Sequence, residues 1–171
     1  DEDRTARYAL CGTPVGEACN ADVYAGAGYY DPPPFEDITF DDPDVTYTLT
    51  GFGGAEDSQV VTDPADGTNR VARVVRSATA ETFAGTIVSN LGTLNVGTLP
   101  FDAANTRMSV RVYSPDAGIP VRVKIENSGN SSQSVETEAT TTVANGWETL
   151  TFDFAVPVAG SPALNLAVKY D

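Results

Sequence analysis

Between Asn105 and Phe154 apolar residues recur at every second position in successive short runs, and turn residues separate the runs. In Arg107 to Tyr113, Met108, Val110 and Val112 alternate with Arg107, Ser109, Arg111 and Tyr113, the period-2 pattern of a half-buried strand. Val121, Val123 and Ile125 then alternate with Arg122, Lys124 and Glu126, after a Ser114-Pro115-Asp116-Ala117-Gly118 turn. Asn127 to Ser132 reads as a polar loop, Ser134 to Val143 as a Thr-rich strand, and Asn145-Gly146 as a turn. In the run that follows, Leu150, Phe152 and Phe154 share one face, and Trp147, Thr149, Thr151 and Asp153 share the other. The expectation is a sheet with one oily face and one polar face.

The flanking segments continue the theme. Two strands are expected in Phe35 to Thr50, the second over Val45 to Thr50, ended by the Gly51-Phe52-Gly53-Gly54 loop. Ser58 to Thr62 and Arg70 to Arg76 flank Asp63-Pro64-Ala65-Asp66-Gly67-Thr68-Asn69, a hairpin loop containing both Pro and Gly. Further strands are predicted over Thr82 to Val88, around Leu91 to Val96, and from Leu164 through Leu166 and Val168 to Tyr170. Thr and Val abound and long helical patterns are missing, so the fold class is all-β, an antiparallel β-sandwich.

Residues 1–34 differ in character and form an N-terminal arm, with the boundary to the 35–171 module placed at about residue 35. Asp31-Pro32-Pro33-Pro34 reads as a stiff connector. Tyr8, Tyr24, Tyr29 and Tyr30 suit a segment that packs on its own module or on a neighbouring copy. Cys11 and Cys19 bracket a short Gly/Pro loop, and a disulfide fits them better than a metal pair, because zinc wants four ligands and the chain has no histidine. A disulfide points to a secreted, extracellular protein. Asp1-Glu2-Asp3-Arg4 has no signal-peptide core, as expected where none existed or where a mature chain begins.

At 171 residues the chain is long enough for one core without staples. Its net charge of −14 repels phosphates and anionic headgroups, so neither nucleic acid nor a membrane is an expected partner, and no run nears the length of a membrane span. Glu36, Asp37, Asp41, Asp42 and Asp44 could supply oxygens to a structural Ca²⁺, although the spacing is not that of an EF-hand and a solvated charge cluster is the favoured account of them.

Arg111, Tyr113, Arg122, Lys124, Glu126, Glu136, Glu138 and Trp147 are the candidate glycan-binding set, expected to line up on one polar face. Bidentate groups for sugar hydroxyls and an aromatic surface for stacking suit a neutral or acidic polysaccharide; cross-strand ion pairing on a solvated face explains the same residues. Catalysis is not expected. No histidine serves a triad and no Gly-x-Ser-x-Gly elbow occurs, which leaves only chance carboxylate pairs among Glu126, Glu136 and Glu138. Asn130-Ser131-Ser132 matches a glycosylation acceptor.

Several of these runs together carry a resemblance: Thr39-Phe40-Asp41-Asp42, Gly51-Phe52-Gly53-Gly54, Ala80 to Thr86, Val110 to Val121 with its Tyr-Ser-Pro-Asp-Ala-Gly, Val135 to Val143, and Trp147-Glu148-Thr149-Leu150. Over about residues 36 to 171 the chain resembles a carbohydrate-binding-module-like β-sandwich domain found in marine bacteria, attached to secreted polysaccharide-degrading enzymes such as laminarinases. The resemblance implies a jelly-roll or galactose-binding-like fold and a non-catalytic glycan-binding role. Where Phe83 stands the family commonly has a tryptophan, which weakens a sugar platform at that place if the ring is exposed. The family also continues past Asp171 with a strand that pairs with the first and helps hold calcium, so the expectation is either a module that was cut or an open edge that takes its strand from elsewhere. From that edge and the arm comes the alternative expectation, a structural subunit of a surface, filament or virion assembly whose partners are copies of itself.

Overall fold

The computed structural model describes residues 37–88 and 97–171. The arm of residues 1–34, the Cys11–Cys19 loop, the boundary at residue 35, Glu36 and the strand expected over Leu91 to Val96 lie outside the described residues. Within them the chain is all-β, with eight strands, no helix and only antiparallel pairings. Among the described residues no helix is long and apolar enough to cross a membrane.

The first half is built of short strands. β1 (Thr50–Phe52) pairs with β4 (Gly85–Ile87), and β2 (Gln59–Thr62) pairs with β3 (Arg70–Arg73) as the hairpin the sequence predicts. Glycine geometry fixes the bend after β1: Gly53 and Gly54 have φ of 67° and 107°, and their carbonyls accept hydrogen bonds from Glu81 N and Ser77 N, both at 2.8 Å. At Gly51 a Cβ would lie 1.8 Å from the Ala55 carbonyl oxygen, so only glycine fits. Ser58, buried beneath these strands, is satisfied by Val75 N at 3.1 Å and by the Thr86 hydroxyl at 2.8 Å.

The second half carries the long strands β5 (Arg107–Ser114), β6 (Pro120–Asn127), β7 (Asn130–Thr140) and β8 (Gly146–Asp153). Their pairing is nested. β6 pairs with β7 from Pro120↔Thr140 to Asn127↔Asn130, and β5 pairs with β8 from Ser114↔Gly146 to Arg107↔Asp153. Two backbone bonds continue the inner ladder along the connections, from Gly118 N to Thr141 O at 2.7 Å and from Thr141 N to Ile119 O at 2.9 Å. Asn145 then enters the left-handed region, with φ 55°, and donates to Ser114 O at 2.7 Å.

Alternation along the strands sends one set of side chains into a shared core. Ile125, Val135, Leu150, Phe152, Phe154 and Tyr170 are buried together, with Met108, Val112, Val121, Val123 and Ala139 packed on them. Each fully buried phenyl contributes about 1.5–3 kcal/mol relative to exposure in water. Phe101 meets Phe154 at 5.3 Å between ring centroids, the tilted approach aromatic rings favour. Thr137 is buried among them, and its hydroxyl lies 3.1 Å from both the Asp153 and Val156 carbonyls.

Four expected elements differ. Val45 to Thr50 alternates between half-buried and exposed, and among the described residues it has no ladder partner before Thr50; a turn closed by Val45 N to Asp42 O precedes it. No strand occupies the described part of the segment ahead of it, residues 37–44. The expected loop from Asn127 to Ser132 is reduced to Ser128-Gly129, because β7 begins at Asn130 and an irregularity at Glu126/Asn127 absorbs the register shift.

Leu164 to Tyr170 is not a strand either. Leu164 and Val168 pack on the core, Leu166 is exposed, and Tyr170 is buried with its hydroxyl accepting from Asn165 N at 3.2 Å. Leu164, Val168 and Tyr170 turn inward there while Leu166 does not, which breaks the every-second spacing a strand would have kept.

Candidate functional site

The nested pairing decides which polar residues can meet. β5 and β6 are not hydrogen-bonded neighbours, so the eight candidate glycan residues do not form one row. Arg111, Tyr113 and Trp147 lie on the β5–β8 sheet; Arg122, Lys124, Glu126, Glu136 and Glu138 lie on the β6–β7 sheet.

On β6–β7 the charges answer one another. Arg122 reaches Glu138 at 3.0 Å and Glu136 at 3.4 Å, and Lys124 reaches Glu126 at 3.3 Å. The hydrogen bond that Arg122 donates to Glu138, helped by both carboxylate charges, raises the Arg122 pKa above its ordinary value. A hollow of about 280 Å³ nearby is walled by Lys124, Ser134, Glu136 and residues 159–162. Segment 156–162 also engages β7, because Val158 N donates to Glu136 O and Glu136 N donates to Ser161 Oγ.

On β5–β8 the arrangement is built around Trp147. Tyr113 is its register partner and meets it edge-on, with 5.6 Å between centroids and 73° between planes. Arg111, two pairs along the ladder and so on the same face, lays its guanidinium over the indole at 4.7 Å, a cation–π geometry. The indole Nε1–H donates to Asp63 Oδ1 at 3.2 Å, a contact spanning 84 positions of sequence. Asp63 stands at the root of the β2–β3 loop and is 5 % exposed. It also accepts from Ala65 N at 2.7 Å and from Asn69 Nδ2 at 2.8 Å.

Desolvation pushes the Asp63 carboxyl upward, but the bonds from Ala65, Asn69, Trp147 and Asp66 outweigh it and hold the group below the ordinary carboxylate range. Asp66 is lowered as well, first by the Thr68 backbone N–H and then by the Thr68 hydroxyl. Between this loop and the sheet lies a cavity of about 370 Å³, lined by Asp41, Asp63, Ala65, Asp66, Thr68, Asn69, Arg111 and Trp147. That volume is in the range of small-ligand sites.

The acidic run is divided between roles. Asp41 lines the cavity, whereas Asp42 turns its carboxylate onto Asp44 N at 2.9 Å and closes a local turn. Among the described residues no three carboxylates are gathered to hold a metal ion. Elsewhere Phe83 is 67 % exposed and Phe52 is 39 % exposed, both beside the Gly51–Gly54 bend.

Sequence reasoning named Arg111, Tyr113 and Trp147 but missed Asp63, Asp66, Thr68 and Asn69. Their Asp/Asn-rich composition signals a self-bonded turn, which the structure contains; no local signal says that the turn docks on Trp147. Compared with protein families, with curated proteins and with solved structures, the chain matches none.

Proposed function

We propose that this protein is a non-catalytic, extracellular carbohydrate-binding module with a jelly-roll-like β-sandwich fold, and that it holds its glycan in the cavity between the β2–β3 loop and the β5–β8 sheet. The carrying observation is that cavity's wall, in which an indole, a guanidinium, an amide, a hydroxyl and carboxylates converge. Planar bidentate groups beside an aromatic ring are what a sugar's vicinal hydroxyls and apolar ring face require. The nested β5–β8 and β6–β7 pairs around one core support the fold, since a long hairpin folded across two layers pairs its strands in this way.

Affinity electrophoresis through gels containing a panel of polysaccharides tests the reading. Retardation by at least one of them is expected. Arg111→Ala is expected to weaken it about 10- to 100-fold, the value of one charged hydrogen bond of about 1.5–3 kcal/mol. Unchanged migration on every polysaccharide sinks the proposal.

The alternative is a structural subunit joined to its copies through the N-terminal arm and open sheet edges. It is favoured by the two-stranded character of every sheet among the described residues, which leaves each strand with one paired neighbour. Light scattering on the native protein separates the two: a concentration-independent monomer removes the assembly reading.

A further inference from the structure

Which glycan the cavity takes follows from the groups on its wall that are not yet engaged. Asp63 is fully occupied by Ala65, Asn69 and Trp147. By contrast, among the described residues the Arg111 guanidinium, the Asp41 carboxylate and one oxygen of Asp66 make no hydrogen bond within the protein. Arg111 offers only donors, and Asp41 and Asp66 offer only acceptors. A hydroxyl group both donates and accepts, so a polyol can satisfy both sides of such a wall at once.

A carboxylate or sulfate can only accept. It would meet Arg111 favourably and then face Asp41, Asp63 and Asp66 across the same cavity, three carboxylates against one guanidinium. Arg111 is moreover already turned onto the Trp147 ring, which takes up part of its attraction for an anion. Like charges at hydrogen-bonding range lie inside a Debye length even in strong salt, so added electrolyte does not remove the penalty.

From this wall we infer that the site takes a neutral, hydroxyl-rich glycan and turns away glycans bearing uronate or sulfate groups. The inference rests on the glycan-binding reading above and narrows it.

The test is isothermal titration of the full chain with three sets of size-defined oligosaccharides: neutral glucan and mannan, polyuronate, and sulfated galactan. Neutral oligosaccharides are expected to bind, with a Kd that changes less than about threefold between 50 and 500 mM NaCl, because no net ion pair forms. Charged ones are expected to bind at least about tenfold more weakly, as like-charge contact requires. Both Asp41 and Asp66 are exposed, so the double variant D41N/D66N keeps the fold; it is expected to narrow the gap between neutral and charged ligands.

If a uronate or sulfated oligosaccharide binds more tightly than the neutral ones and loses binding on Arg111→Ala, the inference falls while the glycan-binding reading stands. Neutral binding that is indifferent to both Arg111→Ala and D41N/D66N also overturns it, by placing the ligand elsewhere. No binding by any set overturns both.

Discussion

The outer faces of the β5–β8 and β6–β7 sheets are made of similar residues and do different things. On β6–β7, Arg122 stands opposite Glu138 in register and Lys124 opposite Glu136, so the cations find carboxylates within their own sheet. Cross-strand neighbours on β5–β8 are Thr149 for Arg111 and Trp147 for Tyr113, and no carboxylate stands opposite the guanidinium. Arg111 turns to the indole instead, and the β2–β3 loop closes over what remains. One face is complete in itself. The other leaves polar groups available, and the difference lies in which residues the register sets opposite each other rather than in how many charges each strand carries.

Experiments that press on this contrast run from large effects to small. Phe152→Ala removes a fully buried ring from the core beneath both faces and is expected to cost about 3–5 kcal/mol, read from urea unfolding. Both faces should fail together, because they share that core; separate unfolding transitions would show that they do not.

Asp63→Ala should affect one face alone. Trp147 loses its hydrogen-bond partner and the loop loses its fastening, so the emission of the chain's single tryptophan is expected to shift to longer wavelength and cavity binding to be lost. An unchanged spectrum would mean that the loop is held by other contacts.

Acid should act on the same point. Asp63 has a folded pKa below its unfolded value, so its contribution is present above about pH 4 and is lost as pH falls through the lowered folded value. Asp66, Asp153 and Glu148 are lowered too, so global stability declines in the same direction. The Trp147 signal is expected to change in that window in the wild type and to lose its pH step in Asp63→Asn.

Smallest is the ion-pair face. A double-mutant cycle on Arg122 and Glu138 is expected to return about 0.5 kcal/mol or less, because both side chains are more than a third exposed and water screens the pair. Glycan binding should not change in either variant. A larger coupling, or lost binding, would place function on the face that looks complete.

Much of this was legible from the chain. Alternation identified β5, β6 and β8 and put Leu150, Phe152 and Phe154 inward, because period 2 reports sidedness directly. It also reported the sidedness of Val45 to Thr50, where burial does alternate, but not that no described residue pairs with it before Thr50, since a strand needs a neighbour that its own residues do not encode. Leu164, Leu166 and Val168 misled for the converse reason: apolar residues at even spacing also suit a turn-rich segment in which, of these three, Leu164 and Val168 face the core and Leu166 does not.

The candidate site was half legible. Arg111, Tyr113 and Trp147 lie together as expected, whereas grouping them with Arg122 and Lys124 assumed that strands consecutive in sequence are neighbours in the sheet. The Asp63–Trp147 bond joins residues 84 positions apart, and periodicity carries no information at that range.

The nesting of the two long ladders also implies an order of assembly. β6 and β7 are joined by only Ser128 and Gly129, so their hairpin closes a minimal loop and can form within microseconds. Once it has formed, Ser114 and Gly146 are brought near each other, and β5 can zip onto β8 from that end without closing the intervening residues 115–145 as free chain. This is a hypothesis about the folding transition state. It expects higher φ-values for Val135→Ala than for Met108→Ala, which lies near the far end of the outer ladder, and the reverse ranking would show that folding starts from the outside.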